Sequence, residues 1–492
     1  MLNFEKEHHH ISNKTHTANK PYLFSNKDSV IKKKDGKWLS RKWNYEHFIQ
    51  EQTTDFSLTL NPIINLEIGK EFGNDKTIYT NTRGIIAEGK LGTRFSFYSS
   101  FLENQSVFPI YITNSIIKEE WIVPGQGKSK WSNDFTFDYA MASGHLTYQL
   151  SKFSTLQFGH GKNFIGDGYR SLILSDVAFN YPYLRVQTSV GIFQYTNLYM
   201  QHVDVGSNPN SYYSYDRKYA SLHHLSTNIS DRLNVGIFES IVWKSNRTEG
   251  VTGFDIQYLN PIIFYRPVEF SLNSSDNALM GVNFKYKTTN LSHLYGQFVI
   301  DEFVIDLLRD NPDYWANKYG IQLGGKMYDA FKIDNLSLQA EWNFVRPYTY
   351  SHKVSAENYG HFQQALAHPL GANFSEYLFF ADYKINKWAL HVQLMKAKYG
   401  GGFENDSISY GNDIFISYNN RPSDNGIKMY QGNLTNLDYR KATISYLINP
   451  KTNFKIETGI ISRLFTDENG GSKSNFVFFA IKSDLFNRYY DY

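Results

Sequence analysis

From about residue 53 onward, apolar and polar residues alternate along the chain with a period of two. Leu336, Leu338, Ala340, Trp342 and Phe344 alternate with Ser337, Gln339, Glu341 and Asn343. Trp388, Leu390, Val392 and Leu394 alternate with Ala389, His391 and Gln393. Phe454, Ile456, Thr458 and Ile460 alternate with Lys455, Glu457 and Gly459. Successive side chains of a strand point to opposite faces, so each run predicts an antiparallel strand with one dry and one polar face.

The connections decide what these strands build. Short turns recur at LGT (91–93), QLSK (149–152), SDR (230–232), TTNLS (288–292), KIDN (332–335), INK (385–387) and NPKT (449–452). Between them lie long connections at 105–133, 161–182, 203–216, 245–275, 303–316, 347–373, 397–437 and 464–474. A sandwich has no reason to sort its loops by length. An outer-membrane barrel does, with short periplasmic turns and long extracellular loops. One strand per interval, with 183–203 split into a hairpin, gives about 18 strands, an even number as bacterial barrels require. The predicted fold is all-β: a transmembrane antiparallel barrel over 53–492, preceded by a short N-terminal helical and extended segment, 1–52. Both termini then lie on the periplasmic side, which places the chain in the outer membrane of a Gram-negative cell.

In the N-terminal segment the first 37 residues are polar and Lys-rich, and are expected to be extended or partly disordered. In 38–52, Trp38, Leu39, Trp43 and Phe48 fall near a helical period, which predicts a short amphipathic helix at the barrel mouth. At the other end, Tyr489, Tyr490 and Tyr492 follow the last strand, as a terminal aromatic signal or an interface girdle.

Composition agrees with a barrel. Aromatics are 17%, mean hydropathy is −0.46, and cysteine is absent, so disulfides and thiolate metal sites are excluded. No stretch approaches the ~20 apolar residues of a membrane helix. The net charge of +3 offers no footprint for nucleic acid. No secretory apolar core stands at the start, which is read as a mature chain or a late start codon. A barrel of this size has a lumen wide enough for water. The inward Lys285, Lys287, Glu341, Lys455 and Glu457 mix signs and are read as charge pairs, with the N-terminal segment and the apolar loops as plugs.

Three dense loops carry the candidate chemistry. The first, GHGKNFIGDGYRSLILSDVAFNYPYLR (159–185), is too apolar for a solvated linker and is expected to fold back onto its scaffold. It is no phosphate cradle, because Asp167 follows Gly166 where Lys and Ser/Thr are needed. The second spans 254–281 and the third 346–374. Aromatic faces beside Arg, Asp and Glu suit sugar rings, whose C–H faces stack while the hydroxyls take hydrogen bonds. The candidate glycan ligands are Asp167, Tyr169, Arg170, Tyr265, Arg266, Glu269, Arg346, Tyr348, Tyr350 and His352. The alternative is that these groups pin the loops together over the barrel mouth. His352, His361 and His368 have no helix or strand spacing for zinc, and no metal or cofactor is expected. No paired carboxylates at glycosidase spacing and no G-x-S-x-G elbow are recognisable, so no enzyme is expected.

At the same loops the chain resembles a known family. GHGKNFIGDGYRSLILSD, YLNPIIFYRPVEF with SSDNAL, and RPYTYSH with AHPLGANF are similar to the capsule-assembly Wzi-like proteins of Bacteroidota, a group that includes the gliding-motility protein RemB. NTRG (81–84), FYSSFLENQ (97–105), VPGQG (123–127), FDYAMASGH (137–145) and WLSRKWNYEHFI (38–49) fit as well. The resemblance covers roughly residues 20–465. It implies an 18-stranded outer-membrane barrel and a lectin-like role with capsular polysaccharide. For the RemB-like branch it implies partners in gliding and type IX secretion machinery. Wzi proper carries a periplasmic helical bundle, of which one clear helix is found in this sequence. Two further expectations stand beside the lectin role: an accessory subunit of surface machinery, and a channel.

Overall fold

The computed structural model describes residues 16–21, 37–73, 76–131, 135–206, 215–245, 253–261, 276–301, 310–403, 406–483 and 486–492. Eighteen antiparallel strands close into one barrel. They are β1 (Phe56–Glu71), β2 (Thr77–Leu91), β3 (Phe95–Val107), β4 (Phe137–Gln149), β5 (Ser154–Gly161) and β6 (Tyr181–Val190). Then come β7 (Phe193–Asp204), β8 (Asp216–Asn228), β9 (Leu233–Lys244), β10 (Asn277–Lys287), β11 (Ser292–Asp301) and β12 (Tyr319–Met327). The last six are β13 (Leu336–Val345), β14 (Phe374–Ile385), β15 (Trp388–Gly401), β16 (Asn433–Asn449), β17 (Phe454–Asp467) and β18 (Gly470–Ser483). β18 returns to β1, with Phe476 opposite Glu71 and Lys482 opposite Asn65.

The period-two pattern has the predicted consequence. Leu66, Leu323, Leu394 and Ile460 point outward and are exposed, while their neighbours Asn65, Gln322 and Gln393 point inward and are buried. A dry outer wall around a polar interior is the arrangement of a membrane barrel. No helix among the described residues is long and apolar enough to cross a membrane; the strands make the crossing. The lower half of β1 extends past β18, and a short strand, Ile49–Gln52, pairs with Ser57–Leu60 along that edge. The expected helix, α1 (Trp38–Asn44), sits beside it at the short-turn end. Asn449 donates to the carbonyls of Lys42 and Glu46 at 2.9 Å, and the Trp43 ring lies 4.9 Å from Phe454. Contrary to an amphipathic reading, α1 buries none of its residues, and Trp38, Leu39 and Trp43 remain exposed.

Two expectations about the connections fail. The stretch 464–474 is no long loop: β17 runs to Asp467 and β18 begins at Gly470, whose φ of +133° needs glycine. Asn469-Gly470 is a hairpin turn signal, and the polar residues around it belong to strands that rise above the membrane. The C-terminal tyrosines form no girdle. Residues 486–492 turn back inside the barrel, where Tyr111 donates to the Tyr490 carbonyl at 2.8 Å and Tyr489 donates to Asp176 at 2.7 Å.

The lumen is filled. The loop after β5 enters it and contributes Ile165, Leu172, Ile173 and Leu174 to a buried cluster with Leu198, Leu222, Phe238 and Val299 of the wall. The N-terminal residues Asn19–Lys20 pair with Phe164–Ile165 of this loop. Three of the inward charges pair, Glu457 with Lys455 at 3.0 Å and Lys285 with Asp167 at 3.9 Å, and Glu457 also meets Lys482 at 2.7 Å; Glu341 instead accepts from two backbone N–H groups and the Tyr295 hydroxyl.

Candidate functional site

The centre of the lumen is built on three consecutive residues, Gly168, Tyr169 and Arg170. The backbone N–H groups of Tyr169 and Arg170 donate to the Glu341 carboxylate of β13, at 2.7 and 3.1 Å. Glycine is needed at 168 for close approach: a Cβ there would stand 2.5 Å from Glu341 Oε2. The guanidinium of Arg170 then bridges Glu376 of β14 and Asp491 of the C-terminal tail, each at 3.0 Å. Tyr169 donates to the other oxygen of Asp491 at 2.9 Å, and Gln393 of β15 reaches it at 2.5 Å. His368 holds Glu376 from the opposite side at 2.8 Å. Such charge-assisted bonds offset the cost of burying an arginine, a cost that an unpaired group retains.

The third loop lies over this hub. Tyr350 donates its hydroxyl to the Leu172 carbonyl at 2.7 Å and its N–H to Asp301 at 2.5 Å. Tyr348 donates to Ser409 O at 3.0 Å, Arg346 to Asn317 O at 2.9 Å, and His352 stands 3.1 Å from Glu357. Tyr348 and Tyr350 both have left-handed backbone, at φ +68° and +71°, a conformation that side chains resist and buried bonds maintain here. His361 accepts from the Val203 N–H at 3.0 Å and donates to the Asn180 carbonyl at 3.1 Å, which fixes its tautomer. Burial lowers its pKa to about 3.

Asp167, Tyr169 and Arg170 are thus brought together with the third loop, but inside the protein. Arg170, Tyr348, Tyr350 and His352 are buried, and the hydrogen bonds they make go to the protein itself, with Arg170 Nη1 left without a partner among the described residues. The pinning alternative describes these residues. Tyr265, Arg266 and Glu269 lie outside the described residues. The described part of their loop, 253–261, does not cover the mouth; it lies against the outer wall of β7–β9, where Ser221 donates to the Tyr258 carbonyl at 2.9 Å. Among the described residues no group of His, Asp and Glu is placed to hold a metal ion.

An exposed cluster at the extracellular end was missed by the sequence reading. Residues 310–318 meet the loop between β15 and β16, and Trp315, half-buried, is its centre. The Arg421 guanidinium lies 4.1 Å from the Trp315 ring and pairs with Asp424 at 2.6 Å. Tyr314 stands 6.0 Å from Trp315, and Asp313, Asn419 and Asn425 of the same two loops are exposed. Beneath lie Tyr348 and Tyr418, so the strained third loop is the floor of this patch. The signal in sequence is short: Asp313-Tyr314-Trp315 and Asn419-Asn420-Arg421-Pro422 each place an aromatic or cation beside turn formers.

No family model and no curated protein sequence matches the chain. Among solved structures it resembles Wzi of Escherichia coli, an outer-membrane protein involved in group 1 capsule assembly and a carbohydrate-binding β-barrel. The TM-score is 0.54 at 14% identity, over 88% of this chain and 85% of that one. It also matches the outer-membrane protein OprD of Pseudomonas aeruginosa, with TM-score 0.45 at 10% identity over 91% of this chain and 99% of that one. OpdK of the same organism, in a structure with vanillate, gives TM-score 0.46 at 7% identity over 86% and 98%. At such identities the likeness to Wzi is one of fold, and the fold is the one that the motifs implied. The closed barrel, dry outside and polar inside, resides in the Gram-negative outer membrane.

Proposed function

We propose that this barrel binds or organises surface polysaccharide at its extracellular end, through the Trp315–Arg421 patch, and catalyses no reaction. One observation carries the reading: a half-exposed tryptophan and tyrosine ringed by Arg421, Asp424 and asparagines, at the extracellular end of a barrel whose lumen is filled. The partly exposed rings offer apolar contact to sugar C–H groups, and the surrounding groups offer both donors and acceptors to hydroxyls. The carbohydrate-binding Wzi shares the fold, which supports the same use of it. Of the sequence candidates, Arg346, Tyr348 and His352 lie against the elements of the patch and hold it in shape, while Tyr169, Arg170 and Tyr350 pin the plug inside the lumen. A role in capsule assembly follows if the bound glycan is capsular. The gliding and type IX secretion link of the RemB-like branch is carried by the quoted motifs alone and forms no part of this reading.

The test is polysaccharide retention by cells or purified barrel carrying Tyr314→Ala with Trp315→Ala. Loss of about tenfold in affinity, equal to about 1.4 kcal/mol, is expected, with heat-modifiable gel mobility unchanged. Retention at the wild-type level would overturn the assignment of this patch.

A further inference from the structure

The outer wall of β15–β18 changes character towards its extracellular end. Lower down, Leu390, Leu394, Ile444 and Ile460 form an exposed apolar belt. Further along the same outward face, Lys396, Asp438, Leu464 and Lys473 stand in one row across the four strands. Arg440 lies one step below that row, opposite Leu394, and Lys398 one step above it. Lys396 and Arg440 are eight and nine residues from the periplasmic ends of their strands at Trp388 and Asn449, and Lys473 is ten from Ser483. At a rise of about 3.4 Å per residue and a tilt of about 40°, this is roughly 20–25 Å up, the top of an apolar band about 25 Å tall.

The charges here do not cancel. Asp438 holds the Arg440 guanidinium through two bonds, at 2.7 and 2.9 Å, and lies 3.9 Å from Lys396 Nζ. Lys398 rests on the Tyr430 ring at 4.7 Å, and Lys473 is exposed; among the described residues neither has an acidic partner. Four cations thus share one carboxylate, and the side chains of Lys396 and Arg440 are 76% and 64% exposed. On β2–β3, by contrast, the outward Arg83 faces the outward Glu103 in register, and the signs balance. Charges on a lipid-facing wall are costly within the hydrocarbon and settle at its edge, where headgroups meet them.

We propose that this patch seats a phosphorylated glycolipid of the outer leaflet, with Lys396, Arg440 and Lys473 on its phosphates. Charge-assisted bonds to phosphate suit both side-chain types, and the bonds to Asp438 fix the guanidinium in place to make them. Three strand spacings of about 4.8 Å set the backbones of Lys396 and Lys473 about 14 Å apart, room for phosphates at two ends of one sugar headgroup. The occupant is a lipid because the patch continues the lipid-facing belt, so that acyl chains below the headgroup lie against Leu394 and Ile460. A second copy of this chain fits poorly, since a two-fold contact would set the same cations against each other. The inference is independent of glycan binding, because the patch lies on the side of the barrel and the Trp315 cluster at its end.

The test titrates the full chain, purified in detergent, with phosphorylated lipid A, with the same lipid dephosphorylated, and with inorganic phosphate as competitor. The variant carries Lys396→Gln, Arg440→Gln and Lys473→Gln, all at exposed side chains, and heat-modifiable gel mobility should be unchanged. Each basic group near an anionic lipid surface contributes about fivefold, so affinity for phosphorylated lipid A should fall at least about tenfold. Arg83→Gln should bind as the wild type does. Equal affinity of wild type and triple variant for phosphorylated lipid A would overturn the proposal. So would equal binding of the two lipids by the wild type, a comparison that needs no variant. Displacement of the lipid by inorganic phosphate would mark a site for free anions and overturn it as well.

Discussion

Two dense, aromatic loops leave the extracellular end of this barrel and take opposite paths. The loop after β5 turns inward and fills the lumen. The described part of the loop after β9, 253–261, turns outward and lies on the wall as a strap. Their compositions do not separate them: both are apolar, with tyrosines and an arginine. What separates them is the face on which the neighbouring strands place polar groups. β12–β15 carry Gln322, Glu341, Asn343, Glu376 and Gln393 inward, and the first loop delivers Arg170 and two backbone N–H groups to them. β7–β9 carry Asn197, Ser221, His223 and Glu239 outward, and the strap runs along this face, taking hydrogen bonds from Ser221 and Tyr199. A loop of this kind goes where buried polar groups would otherwise be stranded.

The sharpest way to break this comparison is Arg170→Met. Glu376 and Asp491 lose their shared cation, and removing one partner of a buried pair costs about 3–5 kcal/mol. The C-terminal tail, joined to the loop through Asp491 and Asp176, should then leave the lumen. Planar-bilayer recording should show conductance in Arg170→Met and none in the wild type. Adding Glu376→Gln should restore part of the closure. Glu239→Gln, on the outer wall, should conduct no more than wild type. A closed Arg170→Met barrel would mean that apolar packing, and not this cluster, retains the plug.

Gly168→Ala tests the same hub with a smaller effect. A Cβ at 168 meets Glu341 Oε2 at 2.5 Å and the Arg170 carbonyl at 2.8 Å, so the carboxylate must move off the two N–H groups. Overpacking of this kind costs about 1–3 kcal/mol. Gly161→Ala is the control, since its Cβ meets only Tyr183 at an ordinary 3.8 Å. The urea midpoint in micelles should fall for Gly168→Ala and hold for Gly161→Ala. Equal midpoints would remove close approach as the reason for Gly168.

Much of the barrel was legible because period two is a local property. Leu338 and Glu341 show in sequence which face is dry, and loop lengths show which end is which. Destination was not legible. Gly168-Tyr169-Arg170 reads as a ligand site or as a pin, and only the positions of Glu341 and Glu376, some 170 and 200 residues away in sequence, decide for the pin. The tail was misread for the same reason, since Asp491 has its partner at Arg170. The strap was misread because β8 (DRKYASLHHLSTN) is polar on both faces, so its alternation reports no lipid side. The Trp315–Arg421 patch joins two loops that are each unremarkable alone.

The smallest expected effect belongs to the outer strap, and it asks whether the two loops are held by the same physics. Tyr199→Phe and Ser221→Ala each remove one hydroxyl that donates to a strap carbonyl. A typical hydrogen bond contributes about 0.5–1.5 kcal/mol net, so each change should loosen the strap by roughly two- to twelve-fold. Tyr199 and Ser221 stand opposite each other in register, so the double variant need not be additive. Limited proteolysis between Gly253 and Pro261 should quicken in each single variant and more in the double one. Conductance should stay at the wild-type level throughout, because nothing in the lumen changes. If the double variant resists proteolysis as well as wild type does, the hydroxyls are incidental. The strap would then be held by Trp243, Phe254 and Tyr258, whose rings pack within 5.3 Å of Trp243. In that case polar groups would select the path of the inner loop, and aromatic packing that of the outer one.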